Sequence, residues 1–339
     1  MIRIWHQSMT TLDELPGYAA MLSAHARRVC MADTVVDLHG LREGTHAPGV
    51  APIESAAYAL LHDLNALQIV ENVLRAQAEG YDAVAMSCFG DPKLDICRSL
   101  VDIPVLSAFE TSLLVASTVA RSFGFLVPME SAVRNTKKRI AHYQYGHRLA
   151  AVLPCDPVMT EPELAAGFDG DARVIDALVA QAKKLVAAGA DIVIPAEGVL
   201  NAVLVQNGIT GIDGAPVLDA WGATVAMAEM LARLRRTTGL GNARRGLYAR
   251  PPAALVDHAR GVALQALVEA KDRGTPPVKP ARGRRRAAEP PPRRHSPNAA
   301  TLKVLADAMA ETAVPPRHPL RHSPTKRSPT ARKKKGDSP

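Results

Sequence analysis

Cysteine is scarce in this sequence: four residues in 339, at positions 30, 88, 97 and 155, with no CxxC spacing among them. That argues against a disulfide frame and reads as free thiols in a reducing compartment, so a cytoplasmic protein is expected. No apolar run approaches the roughly 18 uninterrupted residues that a membrane-spanning helix needs, so no membrane partner is expected. The opening MIRIWHQSMT has neither the basic segment nor the long apolar stretch of a signal peptide. GxGxxG is missing after the first predicted strand, GxxxxGK[ST] is missing altogether, and the eleven histidines form no HExxH. Dinucleotide and P-loop nucleotide use are therefore not expected, and the expectation is no cofactor and no metal.

What the chain does have is an uneven charge. Of its 41 Lys and Arg and 33 Asp and Glu, residues 271–339 hold 18 and 5, with 13 of the 26 prolines. The other 270 residues keep 23 basic and 28 acidic side chains, a mildly acidic body with a basic appendage. The tail reads RGRRRAAEPPPRRH and later RHSPTKRSPTARKKKGDSP. Such a composition cannot bury enough apolar surface to order itself, so residues 271–339 are expected to be disordered. TLKVLADAMAETA at 301–313 has the make-up of one transient helix. Basic tracts of this kind attract nucleic acid or acidic surfaces without reading sequence, and the plainer alternative is a solubilising extension.

Before the tail, short apolar runs alternate with helical periodicity. IRIW (2–5), TVVDLHG (34–40), DAVAMS, IPVLSA, FGFLV (123–127), RLAAVLP (148–154), DIVIP and PVLDA (216–220) read as strands. Between them lie helical segments at 11–30, at about 55–80 as one long amphipathic helix, around 92–101, from about 110, near 131–145, over RVIDALVAQAKKLVAAG, over GVLNAVLVQNG and through about Leu234. Short strands apolar on both faces, each followed by a helix, predict an α/β protein with parallel sheets.

An internal echo sharpens this. Gly80-Tyr81-Asp82-Ala83-Val84-Ala85-Met86-Ser87-Cys88 aligns with Gly189-Ala190-Asp191-Ile192-Val193-Ile194-Pro195-Ala196-Glu197. Both follow an alanine-rich helix and precede a Pro-Val-Leu strand, at Pro104 and Pro216. The period predicts a duplication: two pseudo-symmetric parallel-sheet lobes with a cleft between them. The expected division is 1–110 with 215–235 for the first lobe, 111–214 for the second, and a helical region at 236–270.

Ligands in such sheets bind beyond the carboxyl ends of the strands, so the echo sets Cys88 against Glu197 across one cleft. A cysteine at a strand end is often a small packed residue. Here it precedes the turn Phe89-Gly90-Asp91-Pro92, and a helix expected to begin at Pro92 offers amides that favour a thiolate. Glu197 reads either as a site carboxylate or as a solvated neighbour of a helix cap. Two proton-transfer groups on opposite sides of a small molecule suit carbon-acid chemistry. The same pair also suits nucleophilic attack by Cys88 with Glu197 handling water or a leaving group. His6, Gln7 and Ser8 after the first strand, Ser87, Phe89 and Asp91 around the thiol, Ser107, Glu110 and Thr111 after the fourth strand, and Asp219 after the last complete the candidates for touching substrate.

RIWHQS near the start, SCFGDPKLDICRSLVDIPV around Cys88, and GADIVIPAEG leading to PVLD resemble the aspartate/glutamate racemase superfamily, and within it the hydantoin racemase branch. The resemblance covers about residues 1–235. It implies two pseudo-symmetric α/β lobes, work without a cofactor, and one acid/base cysteine per lobe. Cys88 matches the first of these, whereas Glu197 stands where the second is expected. The branch implies hydantoin-like or amino-acid-like carbon acids as substrates; relatives with one active thiol perform other chemistry, so a hydrolase, desulfhydrase or decarboxylase on a related (thio)hydantoin-like or carboxylate substrate stays open beside a racemase. A small-molecule partner and a homo-oligomeric assembly are expected.

Overall fold

The computed structural model describes residues 1–273, and the strands and helices through Leu267 make up one structural unit. The basic tail, with its expected disorder and transient helix, lies outside the described residues. In chain order the first half holds β1 (Ile2–Gln7), α1 (Pro16–Val29), β2 (Thr34–His39), α2 (Pro52–Ala56), α3 (Ala59–Ala78), β3 (Ala83–Met86), α4 (Leu94–Leu100), β4 (Val105–Ser107) and α5 (Ala108–Val119). The second half holds β5 (Phe123–Val127), α6 (Glu130–His142), β6 (Leu149–Pro154), α7 (Glu161–Ala165), α8 (Ala172–Ala187), β7 (Ile192–Pro195), α9 (Gly198–Gln206), β8 (Gly211–Ile212), β9 (Ala215–Pro216) and α10 (Ala220–Thr238), with α11 (Ala253–Arg273) after them.

β2-β1-β3-β4 form one all-parallel sheet and β6-β5-β7 another. Val217 adds a parallel bridge to Val193, so the second sheet repeats the order of the first with a bridge where β4 would stand. The two lobes are pseudo-symmetric, and the repeated residues do the same work in both. Gly80 (φ +77°) and Gly189 (φ +94°) take the left-handed backbone that closes the preceding helix. Two residues on, Asp82 accepts the amide of Arg3 at 2.8 Å, and Asp191 accepts those of Arg121 and Ser122 at 3.1 and 3.0 Å. Each aspartate thereby pins the entry to the neighbouring central strand.

AVAM in β3 and IVIP in β7 are buried throughout, as strands covered by helices on both faces must be. Ile4 and Ala85 of the first sheet share one apolar cluster with Leu126 and Val193 of the second, joined by Leu22 of α1, Leu178 of α8 and Val225 of α10. A core common to both lobes holds the two sets of strand ends at a fixed separation. Close packing extends to β5, where a Cβ on Gly124 would stand 2.7 Å from the Ala190 Cβ and 3.0 Å from that of Leu185. Gly124→Ala is expected to overpack this contact and cost about 1–3 kcal/mol, read as a lower denaturant midpoint at unchanged slope.

Three local expectations are corrected. The helix expected over 55–80 is two, α2 and α3, because Tyr58 adopts an extended backbone and caps α3. The strand expected at 216–220 shrinks to the two-residue β9 and the Val217 bridge, since Pro216 has no amide to donate and Asp219 already caps α10. The helix expected from Pro92 begins at Leu94, behind Lys93 in the left-handed region.

Candidate active site

β3 and β7 end at equivalent places, and each hands the chain to a turn that carries a functional group two residues later. Ser87 and Cys88 leave β3; Ala196 and Glu197 leave β7. All four line one cavity of about 190 Å³. Tyr18 of α1, His62 of α3, Arg139 of α6, Glu161 of α7 and Pro52 and Ile53 of α2 line it too.

The Cys88 thiol accepts the Gly90 amide at 3.3 Å. Gly90 is tightly enclosed: a Cβ there would stand 3.2 Å from Cys88 Sγ and 3.1 Å from His62 Nε2, so both neighbours would have to give way. Burial pushes the thiol up to about 11; the Gly90 amide and Arg139 oppose the rise, while Asp91 and Glu197 add to it. Cys88 is therefore a protonated thiol at neutral pH. This corrects the expectation of a helix-stabilised thiolate: α4 starts too late to present its amides, and desolvation decides the charge. Arg139 is the one Lys or Arg among the lining residues, and it is already engaged, donating from Nη2 to the Gly90 carbonyl at 2.7 Å and lying 3.4 Å from Asp91.

Glu197 is at once the N-cap of α9 and a cavity group. Its Oε1 accepts the Val199 amide at 3.0 Å and its Oε2 the Leu200 amide at 2.7 Å. Burial raises its pKa against the pull of those amides. The capping bonds fix the carboxyl's direction. Tyr18 reaches both turns: a Cβ on Gly198 would stand 2.7 Å from its hydroxyl, and the phenol hydrogen-bonds the Ser87 side chain. Burial, and after it the Glu197 carboxylate, hold the phenol protonated.

Of the residues anticipated from sequence, Ser8, Ser87, Cys88, Phe89 and Glu197 line the cavity. His6, Gln7, Ser107, Thr111 and Asp219 are not among the lining residues, because other work consumes most of them. Gln7 ties strand ends together, accepting from Trp5 Nε1 and Asn72 Nδ2 and donating to the Ser8 and Gly40 carbonyls. Ser107 caps α5 by accepting the Glu110 amide, and Asp219 caps α10 through Gly222 and meets His25 at 2.5 Å. His6 is fully buried against Trp221 and Thr111 is buried in α5. Asp91 does not cap the following helix; it sits at φ +47° and accepts the Tyr143 hydroxyl at 2.9 Å.

Sequence reasoning missed Tyr18, His62, Arg139 and Glu161. Only the helical period of α1, α3 and α6 bears on the first three, and it does not say which turn of a helix meets a cavity. Glu161 carried no signal at all, since Thr160 to Glu163 reads as an exposed capping box.

A duplicated parallel α/β fold whose strand ends converge on one thiol-and-carboxyl cavity defines a two-lobed α/β enzyme. The chain belongs to the Asp/Glu/Hydantoin racemase family, whose model matches residues 10–228. It is 28% identical over 188 residues to the hydantoin racemase of Paenarthrobacter aurescens, a match spanning 53% of this chain and 74% of that protein. In fold it is similar to allantoin racemase from Klebsiella pneumoniae (TM-score 0.61, 21% identity, covering 74% of this chain and 94% of that one). Allantoin racemase from Pseudomonas fluorescens gives a TM-score of 0.57 at 22% identity, covering 74% and 97%. Among the described residues no helix is long and apolar enough to cross a membrane.

Proposed function

We propose that the protein racemises a hydantoin-like or amino-acid-like carbon acid by moving protons between Cys88 of the first lobe and Glu197 of the second. The observation that carries this is the placement of the two groups, at equivalent strand ends of duplicated lobes and on one cavity. In one direction the Glu197 carboxylate takes the proton from the stereocentre, and the C–H electron pair moves into the adjacent carbonyl to give an enolate. The Cys88 S–H then delivers its proton to the opposite face, leaving a carboxylic acid and a thiolate that must exchange a proton to reset. Burial makes Glu197 a stronger base than an exposed carboxylate. The hydantoin racemase likeness supports a ring whose C5 carbanion is delocalised. Covalent attack by Cys88, the hydrolase or lyase reading, needs a thiolate, and burial works against one.

The test is incubation of single enantiomers of 5-substituted hydantoins and of amino acids in deuterated water. Deuterium at the stereocentre with loss of optical rotation and otherwise unchanged mass is expected. Gain of water, or loss of sulfide or carbon dioxide, contradicts the proposal. Tyr18 lines the cavity with both groups and hydrogen-bonds Ser87 beside the thiol, so Tyr18→Phe is expected to lower kcat about tenfold by removing one hydrogen bond near developing charge, with KM little changed. Stopped-time polarimetry on the purified variant reads this out.

A further inference from the structure

Glu161 is the polar group of the cavity that the proton-transfer scheme leaves unused. It is the first residue of α7, 4% exposed, and lines the same cavity as Cys88 and Glu197. Its Oε2 is fully buried without a hydrogen-bond partner. The charged groups acting on it are Glu197 at the N-cap of α9 and Glu54 on α2, both acidic. Glu163, on its own helix, is taken up by the amide and hydroxyl of Thr160 at 2.7 and 2.8 Å. Arg139, the cavity's cation, is committed to Gly90 and Asp91. A carboxylate in that position would be a buried anion without a counter-ion beside another anion, which its surroundings disfavour strongly.

We infer that Glu161 works as an undissociated acid, donating its proton in a hydrogen bond to a carbonyl oxygen of a neutral, ring-closed carbon acid. The inference rests on the proposed proton transfer at that carbon. It adds the group that receives the developing charge: as Glu197 removes the C–H proton, the electron pair moves onto the carbonyl oxygen facing Glu161. A carboxyl kept protonated by an apolar site and aimed at an enolate oxygen is an established catalytic device. The bond strengthens as the oxygen gains charge, so it favours the transition state over the ground state. It also selects substrate. The lining offers a thiol, a carboxylate and a neutral acid but no uncommitted cation, so a ring carbonyl fits where the free carboxylate of an amino acid would meet only acidic neighbours.

The pH dependence has a definite sign. Burial, and then the Glu197 charge, push Glu161 up to about 8 against the pull of its own backbone amide and that of Ile53. The donating form is therefore present below that value and lost as pH rises through it. Across the cavity Tyr18 and Cys88 keep their protons over the same interval, and His62, whose pKa burial lowers, stays neutral through it.

The experiment compares wild type, Glu161→Gln and Glu161→Leu on a 5-substituted hydantoin from about pH 6 to about pH 10, with circular dichroism to verify folding. Wild-type kcat/KM is expected to fall tenfold per pH unit above about 8. Glu161→Gln, whose amide donates but does not titrate, is expected to lose that fall and to be slowed no more than about tenfold at the acid end. Glu161→Leu removes the donor and is expected to lose about 10²–10³ in kcat at the acid end, with the gap narrowing at alkaline pH as wild type itself loses the donating form. An infrared difference between wild type and Glu161→Gln at neutral pH provides a readout independent of turnover, since an undissociated acid has its own carbonyl stretch. Persistence of the alkaline fall in Glu161→Gln, full activity of Glu161→Leu, or absence of the acid stretch each overturns the inference while wild-type racemisation stands. Failure of wild type alone to exchange the hydantoin C–H overturns the proposed function, and the inference with it.

Discussion

Cys88→Ser is expected to lower kcat for racemisation by about 10²–10⁴-fold while leaving the protein folded. Serine is the closest match in size, so the turn at Phe89–Gly90 and the acceptor for the Gly90 amide survive. Stability should change by no more than about 1 kcal/mol, because Cys88 is half-buried at a strand end and serine keeps its size and its contact with the Gly90 amide. What the hydroxyl cannot do is give up a proton to a carbanion, or take one from carbon, at the rate of a thiol of pKa about 11. The comparison separates the two readings of this residue. If Cys88 were a packed small hydrophobe, Cys88→Ala would be the milder change and Cys88→Ser the worse. If it transfers protons, both fail alike in turnover and neither fails in folding.

The second large effect belongs to Glu197→Gln, with a loss in kcat again of about 10²–10⁴-fold. Glu197 has two roles in one side chain, since its oxygens also cap α9. Glutamine keeps one oxygen to accept an α9 amide but removes the basic form. Glu197→Ala removes both, and is expected to cost about 1 kcal/mol of stability in addition. A catalytic loss shared by Gln and Ala, with a stability loss confined mainly to Ala, assigns the activity to the carboxylate and not to the cap. Glu197→Cys completes the series: a thiol there restores one acid/base cysteine per lobe, the arrangement the family resemblance implies, and recovered racemisation would show that the geometry accepts either group.

The echo between 80–88 and 189–197 made the duplication legible, because the residues that repeat are those whose jobs repeat. A positive-φ glycine, an aspartate that accepts strand amides and a buried four-residue strand leave few alternatives at each position. The same logic located Cys88 and Glu197 at strand ends. It reached too far with Gln7, Ser107 and Asp219, since strand ends also need caps and ties, and a polar residue there serves either purpose. Glu161 was out of reach for a different reason. Its burial depends on α2, whose Pro52 and Ile53 line the cavity with it, and α2 exists apart from α3 only because the chain breaks at Tyr58. Nothing local to Ala56-Ala57-Tyr58 announces that break; it is decided by tertiary packing.

The most direct test of the opposed pair is solvent exchange at the stereocentre, measured separately on each pure enantiomer with Cys88→Ser and Glu197→Gln. With Cys88 disabled, Glu197 still reaches the enantiomer whose proton faces the second lobe, so that enantiomer alone should exchange deuterium and keep its configuration. With Glu197 disabled, any residual exchange should fall on the other enantiomer, through Cys88. Both variants exchanging the same enantiomer, or either variant exchanging both at the wild-type rate, would contradict two groups acting from opposite faces of one carbon.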